Sequence, residues 1–374
     1  MSHKKLGFGL MRLPLLEGTD DGNIDIETLC SMVDMFLERG FTYFDTALMY
    51  CGGNSEAAIK KALVDRYPRE SYTIATKLHG DFFHTKEDRD RVFHEQLRRI
   101  GVDYFDYYLI HDVGEGFYQK YTELDCFDWL LEKKRQGLVK HVGFSFHDGA
   151  DMLDQVLTEH PEMEFVQLQI NYLDWDSEGI QSRRCYEVAA KHGKPVFVME
   201  PVKGGTLAKL PGDLEDAYRA MHPDWSISSW AIRFAASLPN VQLVLSGMSN
   251  MAQLQDNTGY MQNFVPLNEE EQLQVRKAVD AINATIAIPC TGCAYCTGGC
   301  PMNIAIPRYF SLYNTDKQES PEKDWTPQEE YYDRLTQKFG KASDCIGCGQ
   351  CEHVCPQHLP IVEHLKQVAE HFGK

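Results

Sequence analysis

Nowhere in this chain does an apolar run approach the roughly 18 residues that a membrane span requires, so no such span is expected. The opening MSHKKLGFGLMRLPLLEG is basic at its start, but Gly, Arg and Pro break its apolar run. It does not read as a signal peptide, and a cytoplasmic protein is the expectation. Positive charge is also in short supply. The formal net charge of −18 repels nucleic acid and anionic membrane surfaces, so neither is expected as a partner. No GxGxxG follows any strand candidate, which weighs against a Rossmann domain, and no flavin-binding motif is visible. Before residue 290 the cysteines are scattered: Cys30, Cys51, Cys126 and Cys185. In a reducing compartment they read as small buried hydrophobes and not as disulfides.

What is present divides the chain. Its 374 residues exceed the usual single-core limit of roughly 250–300, which predicts one large domain and a smaller one. From residue 25 to about 265, apolar segments alternate with segments of helical period. FTYFDTA, SYTIATKL, VDYFDYYLIH, VKHVGFS, EFVQLQI, PVFVME and VQLVLSG read as strands. Helices are expected in IDIETLCSMVDMFLERG, stopped by Gly40, in NSEAAIKKALVDRY, capped by Asn54 or Ser55, in KEDRDRVFHEQLRRIG and in LDCFDWLLEKKRQG. Others are expected near 148–159, 178–192 and 226–237, and in MAQLQDNTGYM. GFGLMRLP is an eighth, weaker strand candidate. Near-continuous apolar strands between helices mean a parallel sheet covered by helices. Eight units in this length predict an α/β fold, a (β/α)8 TIM barrel. The segment 268–285 reads as a last amphipathic helix. The expected boundaries are 1–285 for the barrel and 286–374 for a small, mainly α-helical domain whose central insert reads as two helices around a polar turn.

Active sites of such barrels lie at the carboxyl ends of the strands. Three successive strands place Asp45, Lys77 and His111 there, with Tyr50 five positions after Asp45. A lysine or histidine at a strand end is commonly just a structural hydrogen-bonding partner. Together the four fit one chemistry. A phenol is a poor acid at neutral pH, an adjacent ammonium favours its phenolate, an aspartate holds the ammonium, and an imidazole orients a carbonyl oxygen. Such a set protonates a carbonyl as hydride arrives, or runs in reverse on an alcohol.

In these residues the sequence resembles the aldo/keto reductase family over about residues 5–265. The resemblance implies that Asp45, Tyr50, Lys77 and His111 form the family's catalytic tetrad, with Tyr50 as general acid/base and a nicotinamide cofactor across the barrel mouth. It further implies that Ser145 and Gln167 hold the nicotinamide carboxamide. The family's asparagine after that serine is here Phe146, and Met199 stands where an aromatic residue would stack on the nicotinamide. Gly204 and Gly205 would admit the pyrophosphate, with Lys203 supplying charge. SGMSNMAQLQDN resembles the adenosine-binding segment, with Gly247, Gln253 and Asn257 in matching places. Ser249 replaces the basic residue that would meet a 2′-phosphate, so the choice between NADH and NADPH stays open.

The remaining eight cysteines form two runs. CTGCAYCTGGCP carries Cys290, Cys293, Cys296 and Cys300, and CIGCGQCEHVCP carries Cys345, Cys348, Cys351 and Cys355. This is the spacing of two-cluster bacterial ferredoxins, in which the fourth cysteine ligates the other cluster. Cys290, Cys293, Cys296 and Cys355 are therefore expected to hold one 4Fe–4S cluster. Cys345, Cys348, Cys351 and Cys300 would hold the second. Zinc is the alternative, but zinc sites usually show two CxxC pairs with no use for a third cysteine two residues on.

Nicotinamide moves two electrons as hydride, whereas such a cluster normally moves one. Three readings stand. In the first, an NAD(P)-dependent reductase of carbonyl or alcohol substrates passes electrons to or from an external partner such as ferredoxin. In the second, the clusters only hold the appended domain together. In the third, an iron–sulfur electron-transfer protein has a barrel that no longer uses nicotinamide efficiently. Aromatic residues on loops expected to overhang the mouth (Phe82, Phe83, Phe117, Tyr118 and Trp175) suit sugars or apolar carbonyl compounds, and equally suit plain loop packing.

Overall fold

The computed structural model describes residues 4–17, 22–177, 180–284, 286–290, 292, 294–318, 325–355 and 357–373. Eight parallel strands close a barrel in sequence order: β1 (Leu6–Gly9), β2 (Tyr43–Asp45), β3 (Thr73–Leu78), β4 (Phe105–Val113), β5 (Val139–Phe146), β6 (Phe165–Gln169), β7 (Val196–Met199) and β8 (Val241–Gly247). The weak GFGLMRLP candidate is β1, and β8 returns beside it with Leu6 opposite Val244 and Gly9 opposite Gly247.

Alternate residues of a strand share a face. Tyr43, Ala75, Leu109, Phe165, Phe197, Leu243 and Leu245 form one buried apolar cluster inside the barrel, with Tyr107 against it. Phe165 and Phe197 stack with ring centroids 4.5 Å apart. Residue 143 is glycine because a Cβ there would stand 2.6 Å from Phe165. Two positions further along each strand, the same inward face carries Asp45, Lys77, His111, Ser145, Gln167, Met199 and Gly247. An aromatic floor thus supports a polar layer at the carboxyl ends. On the outward face, Phe44 meets Phe36 of the helix Ile26–Glu38 at 5.2 Å.

The helices start where local chemistry starts them. The Asp25 carboxylate accepts from the Thr28 amide at 3.0 Å, and Thr85 Oγ1 accepts from Asp88 at 3.1 Å, which satisfies amides that have no intrahelical partner. The amphipathic helix Glu269–Asn283 begins with a reciprocal Asn268–Glu271 capping box. One expected helix differs. Ser55–Ile59 is α-helical but Lys60–Val64 is a π turn, and neither Asn54 nor Ser55 caps it. Ser55 Oγ instead donates to the Leu10 carbonyl at 2.9 Å, tying the segment to the end of β1. The stretch read as a loop around Tyr118 contains a short helix, Tyr118–Glu123, and a helix at Gly212–Met221 was not expected.

Past the barrel, the two insert helices are Ile306–Lys317 and Pro327–Leu335, and a further helix, Ile361–Phe372, packs with them. Their core joins Tyr309, Phe310, Tyr332, Leu365 and Phe372 to Cys296, Cys351 and Cys355. This is the small, mainly helical ferredoxin-like domain. Among the described residues, no helix is long and apolar enough to cross a membrane.

Candidate functional site

The carboxyl ends of β2, β3 and β4 bring Asp45, Lys77 and His111 together, at 2%, 1% and 8% exposure. Lys77 Nζ bonds the Asp45 carboxylate and donates to the Thr46 carbonyl at 2.9 Å. It lies 4.9 Å from the Tyr50 ring centroid. Tyr50 opens a turn in which Cys51 and Gly52 take left-handed φ values of 52° and 60°, folding the chain back over the strand ends. The His111 ring meets Tyr50 edge-on at 6.1 Å and His79 at 5.0 Å. All four residues singled out in the sequence converge.

Burial raises the Asp45 carboxyl above its ordinary value, with Lys77 pulling the other way. Burial also works against the Lys77 ammonium, yet Asp45 and Tyr50 more than offset it, and Lys77 ends above its ordinary value. Burial raises the Tyr50 phenol, and Lys77 opposes that rise only in part. The ammonium therefore acts as expected, but the net direction at Tyr50 is upward. Burial, then Lys77 and His79, hold His111 well below the usual histidine value, so its imidazole is neutral near pH 7.

Ser145 and Gln167 stand opposite each other in the β5–β6 register. Ser145 Oγ accepts from the Asp112 amide at 2.8 Å. Among the described residues, Gln167 Oε1 is buried without a hydrogen-bond partner, as are Asp45 Oδ2 and His111 Nδ1. Buried polar atoms are nearly always satisfied, so three orphans at one mouth fit a polar ligand. Met199 is half-buried at the end of β7. Gly204 and Gly205 take φ values of 60° and 104°, which only glycine adopts readily in succession.

Other residues are already engaged within the chain. The Lys203 ammonium, expected to supply charge for a pyrophosphate, is 1% exposed and bonds the buried Asp174 at 2.8 Å. Asn257 donates to Ser246 Oγ at 3.0 Å and accepts from the Tyr260 hydroxyl at 2.8 Å. Gln253 Oε1 accepts from the Ser249 amide at 2.7 Å, and Ser249 Oγ donates to the Arg12 carbonyl at 3.0 Å. Gly247 lies against the Arg12 side chain, so a cation that sequence reasoning missed stands at this edge. Nothing in the sequence marks it until β1 is paired with β8. Of the aromatic residues, Phe117 and Phe82 flank His79 at 5.0 and 6.0 Å. Phe83 is fully buried against Tyr121, Trp175 packs on Phe234 and Tyr186, and Tyr118 turns to His160.

In the C-terminal region the two cysteine runs line two cavities. Cys290, Cys296 and Cys355 border one, together with Ile306, Phe310 and Ile361. Cys300, Cys345, Cys348 and Cys351 border the other, with Ile304 and Leu365. The last cysteine of each run thus faces the cavity of the other. Cys293 lies outside the described residues. Among the described residues, no three His, Cys, Asp or Glu side chains are spaced to close on a single metal ion. The thiols instead gather around two small apolar-lined clefts.

A (β/α)8 barrel with an ionisable layer at its carboxyl mouth, joined to a helical region with two thiol-lined cavities, defines a redox class of protein. The chain belongs to the aldo/keto reductase family, whose model matches residues 5–280, and a 4Fe-4S dicluster domain matches residues 289–359. An uncharacterised oxidoreductase of Schizosaccharomyces pombe is 26% identical over 264 residues, covering 68% of this chain and 80% of that protein. An aldo-keto reductase of Mycolicibacterium vanbaalenii is 29% identical over 225 residues, covering 59% and 73% respectively. Among solved structures, the holo form of an aldo-keto reductase from Bacillus halodurans superposes with a TM-score of 0.59 at 24% identity, covering 73% of this chain and 91% of that one. An aldo-keto reductase of Klebsiella pneumoniae in complex with NADPH gives 0.58 at 20%, covering 73% and 90%.

Proposed function

We propose that the barrel, residues 1–285, is a cytoplasmic NAD(P)-dependent oxidoreductase interconverting a carbonyl compound and its alcohol. The region 286–374 would hold two 4Fe–4S clusters that exchange electrons with an external redox protein such as a ferredoxin. The observation that carries this reading is the buried Asp45–Lys77 pair beside Tyr50, with neutral His111 at the phenol's edge. When bound, the nicotinamide supplies or accepts hydride and the clusters supply single electrons.

The rest is work for the chain's own residues. Tyr50 gives its proton to the carbonyl oxygen during reduction and recovers it during oxidation. Lys77 stabilises the phenolate that results, and Asp45 keeps the ammonium charged and in place. His111, neutral, hydrogen-bonds the substrate oxygen and orients it. Gln167 would give its orphan Oε1 a partner by accepting from the carboxamide nitrogen, with Ser145 beside it. Gly204 and Gly205 would let backbone approach the pyrophosphate. Because Lys203 is spent on Asp174, that approach relies on backbone amides. The fold shared with a neighbour solved with NADPH makes both nicotinamides the first cofactors to test. Cys290, Cys293, Cys296 and Cys355 would hold one cluster, and Cys345, Cys348, Cys351 and Cys300 the other.

A second reading, an electron-transfer protein with a barrel that binds a ligand or partner, is favoured by one group of observations. Met199 and Phe146 would leave the nicotinamide with fewer contacts, and Lys203, paired with Asp174, would not meet the pyrophosphate. Anaerobic addition of NADH or NADPH to the brown protein, with and without a panel of aldehydes, tests the two. Nicotinamide oxidation that Tyr50→Phe lowers by about 10²–10⁴-fold, with cluster absorbance intact, supports the enzyme. Unchanged electron delivery to a ferredoxin acceptor in that variant, with no aldehyde turnover in either protein, would establish the second reading.

A further inference from the structure

The helix Pro327–Leu335 belongs to the cysteine-bearing region, yet it lies against the barrel's carboxyl mouth. Tyr331 Oη meets His147 Nδ1, just beyond β5, at 2.6 Å. Arg334 pairs with Asp112, the residue after His111, and its guanidinium stands 5.3 Å from the Phe117 ring centroid. Around this contact, Lys338 donates to the Glu115 carbonyl at 3.1 Å and Arg308 approaches Asp148 at 3.7 Å.

Asp112 is the hinge of this contact. It sits where the β4–β5 register shifts, at φ 57°, a left-handed conformation uncommon outside glycine. Its amide bonds Ser145 Oγ, and its carboxylate lies 3.7 Å from His79 Nε2, whose ring abuts His111. One strained residue therefore touches the site on three sides, and among the described residues the arginine on its carboxylate comes from the cysteine-bearing region.

We propose that the cysteine-bearing region completes the barrel's active site: Arg334 is a positioning residue that holds the Asp112 bulge, and with it His111 and Ser145, while Tyr331 walls the substrate pocket beside His147. This rests on the hydride-transfer reading of the barrel. It gives the C-terminal region a task in carbonyl chemistry whether or not electrons cross between the two sites. Burial alone would raise the Asp112 carboxyl, but the His79 hydrogen bond and the Arg334 guanidinium hold it far below the usual carboxylate range, with the His111 and His147 rings also facing it. Tyr121 and Tyr331 complete its charged and titratable surroundings. Burial also lowers His147, which favours its neutral ring beside the Tyr331 hydroxyl.

The test uses the full chain, purified anaerobically with its iron counted, as wild type, Arg334→Gln, Arg334→Lys, Tyr331→Ala and Tyr50→Phe. Activity with propanal and benzaldehyde is followed from acid to alkaline pH. Arg334→Gln should keep its iron, lose about tenfold or more in kcat, and gain an acid limb as Asp112 begins to protonate within the measured range. Arg334→Lys, which restores a positive charge, should recover most of the rate and remove that limb. Tyr331→Ala should change the benzaldehyde-to-propanal ratio of kcat/KM by about fivefold or more. Arg334→Gln with wild-type kcat and pH profile would overturn the positioning role. Should Arg334→Gln lose its iron, Tyr331→Ala decides, and an unchanged aldehyde ratio then overturns the proposal. Tyr50→Phe keeps the two levels apart. If it is as active as wild type, the hydride-transfer reading itself fails; if it alone is inactive, only the inference does.

Discussion

At the barrel mouth Lys77 is met by Asp45 and Thr46, whereas in the C-terminal region the thiols of Cys290, Cys296 and Cys355 stand around a cavity. The first site is assembled by strand period on a continuous aromatic floor, so folding pre-organises it. The second is built from cysteines that are themselves part of a small core, beside Tyr309, Phe310 and Leu365. A core with its ligands inside couples metal binding to folding, while a barrel with its polar layer above the core does not. The two halves of one chain therefore obtain their rigidity from different sources.

The comparison can be broken most forcefully at Lys77. Lys77→Met leaves the Asp45 carboxylate buried without its cation, and thermal or denaturant unfolding should show a loss of about 3–5 kcal/mol. A barrel of unchanged stability would mean that the pair is not what holds this layer. Next in size is iron removal by an anaerobic chelator. Amides of Ile306–Lys317 and Ile361–Phe372 should exchange roughly a hundredfold faster, equivalent to about 3 kcal/mol of local stability, while β1–β8 keep their protection. Uniform loss in both regions would erase the contrast.

Cys355→Ser sharpens it. About half the iron should be lost, and the spectroscopic signature that disappears should match that of Cys290→Ser and not that of Cys345→Ser. The smallest effect concerns pH. His111 is held below its ordinary value, so its contribution to stability is fully present above about pH 6.5 and falls away as pH drops towards the folded-state value. The slope of barrel stability between about pH 6.5 and 5 should flatten by up to about 1.4 kcal/mol per pH unit in His111→Gln. An unchanged slope would place the acid sensitivity elsewhere.

Much of this was legible beforehand because barrel strands advertise themselves. Period two carries Ala75 to Lys77 and Leu109 to His111 on one face, so strand ends named the ionisable residues before any contact was known. The cysteine runs were legible for a similar reason, since ligand spacing on a tight loop is a local property. Side-chain commitments were not. Lys203 looked available for phosphate until Asp174, 29 residues away, was found beside it. Asn257 likewise looked outward until Ser246 and Tyr260 closed on it. The helix Tyr118–Glu123 was hidden because its sequence, YQKYTE, has too few apolar positions to show a period.

By itself, then, the sequence determined the alternation that makes an eight-stranded barrel, the four residues that meet at its mouth, and the two thiol runs beyond it, because each is written in spacings of a few positions. Only the tertiary structure decided which charges are already spent, and that Tyr331 comes to lie on His147 across 184 residues of chain. These depend on how separate elements pack, and no local pattern records which side chain a distant helix will bring.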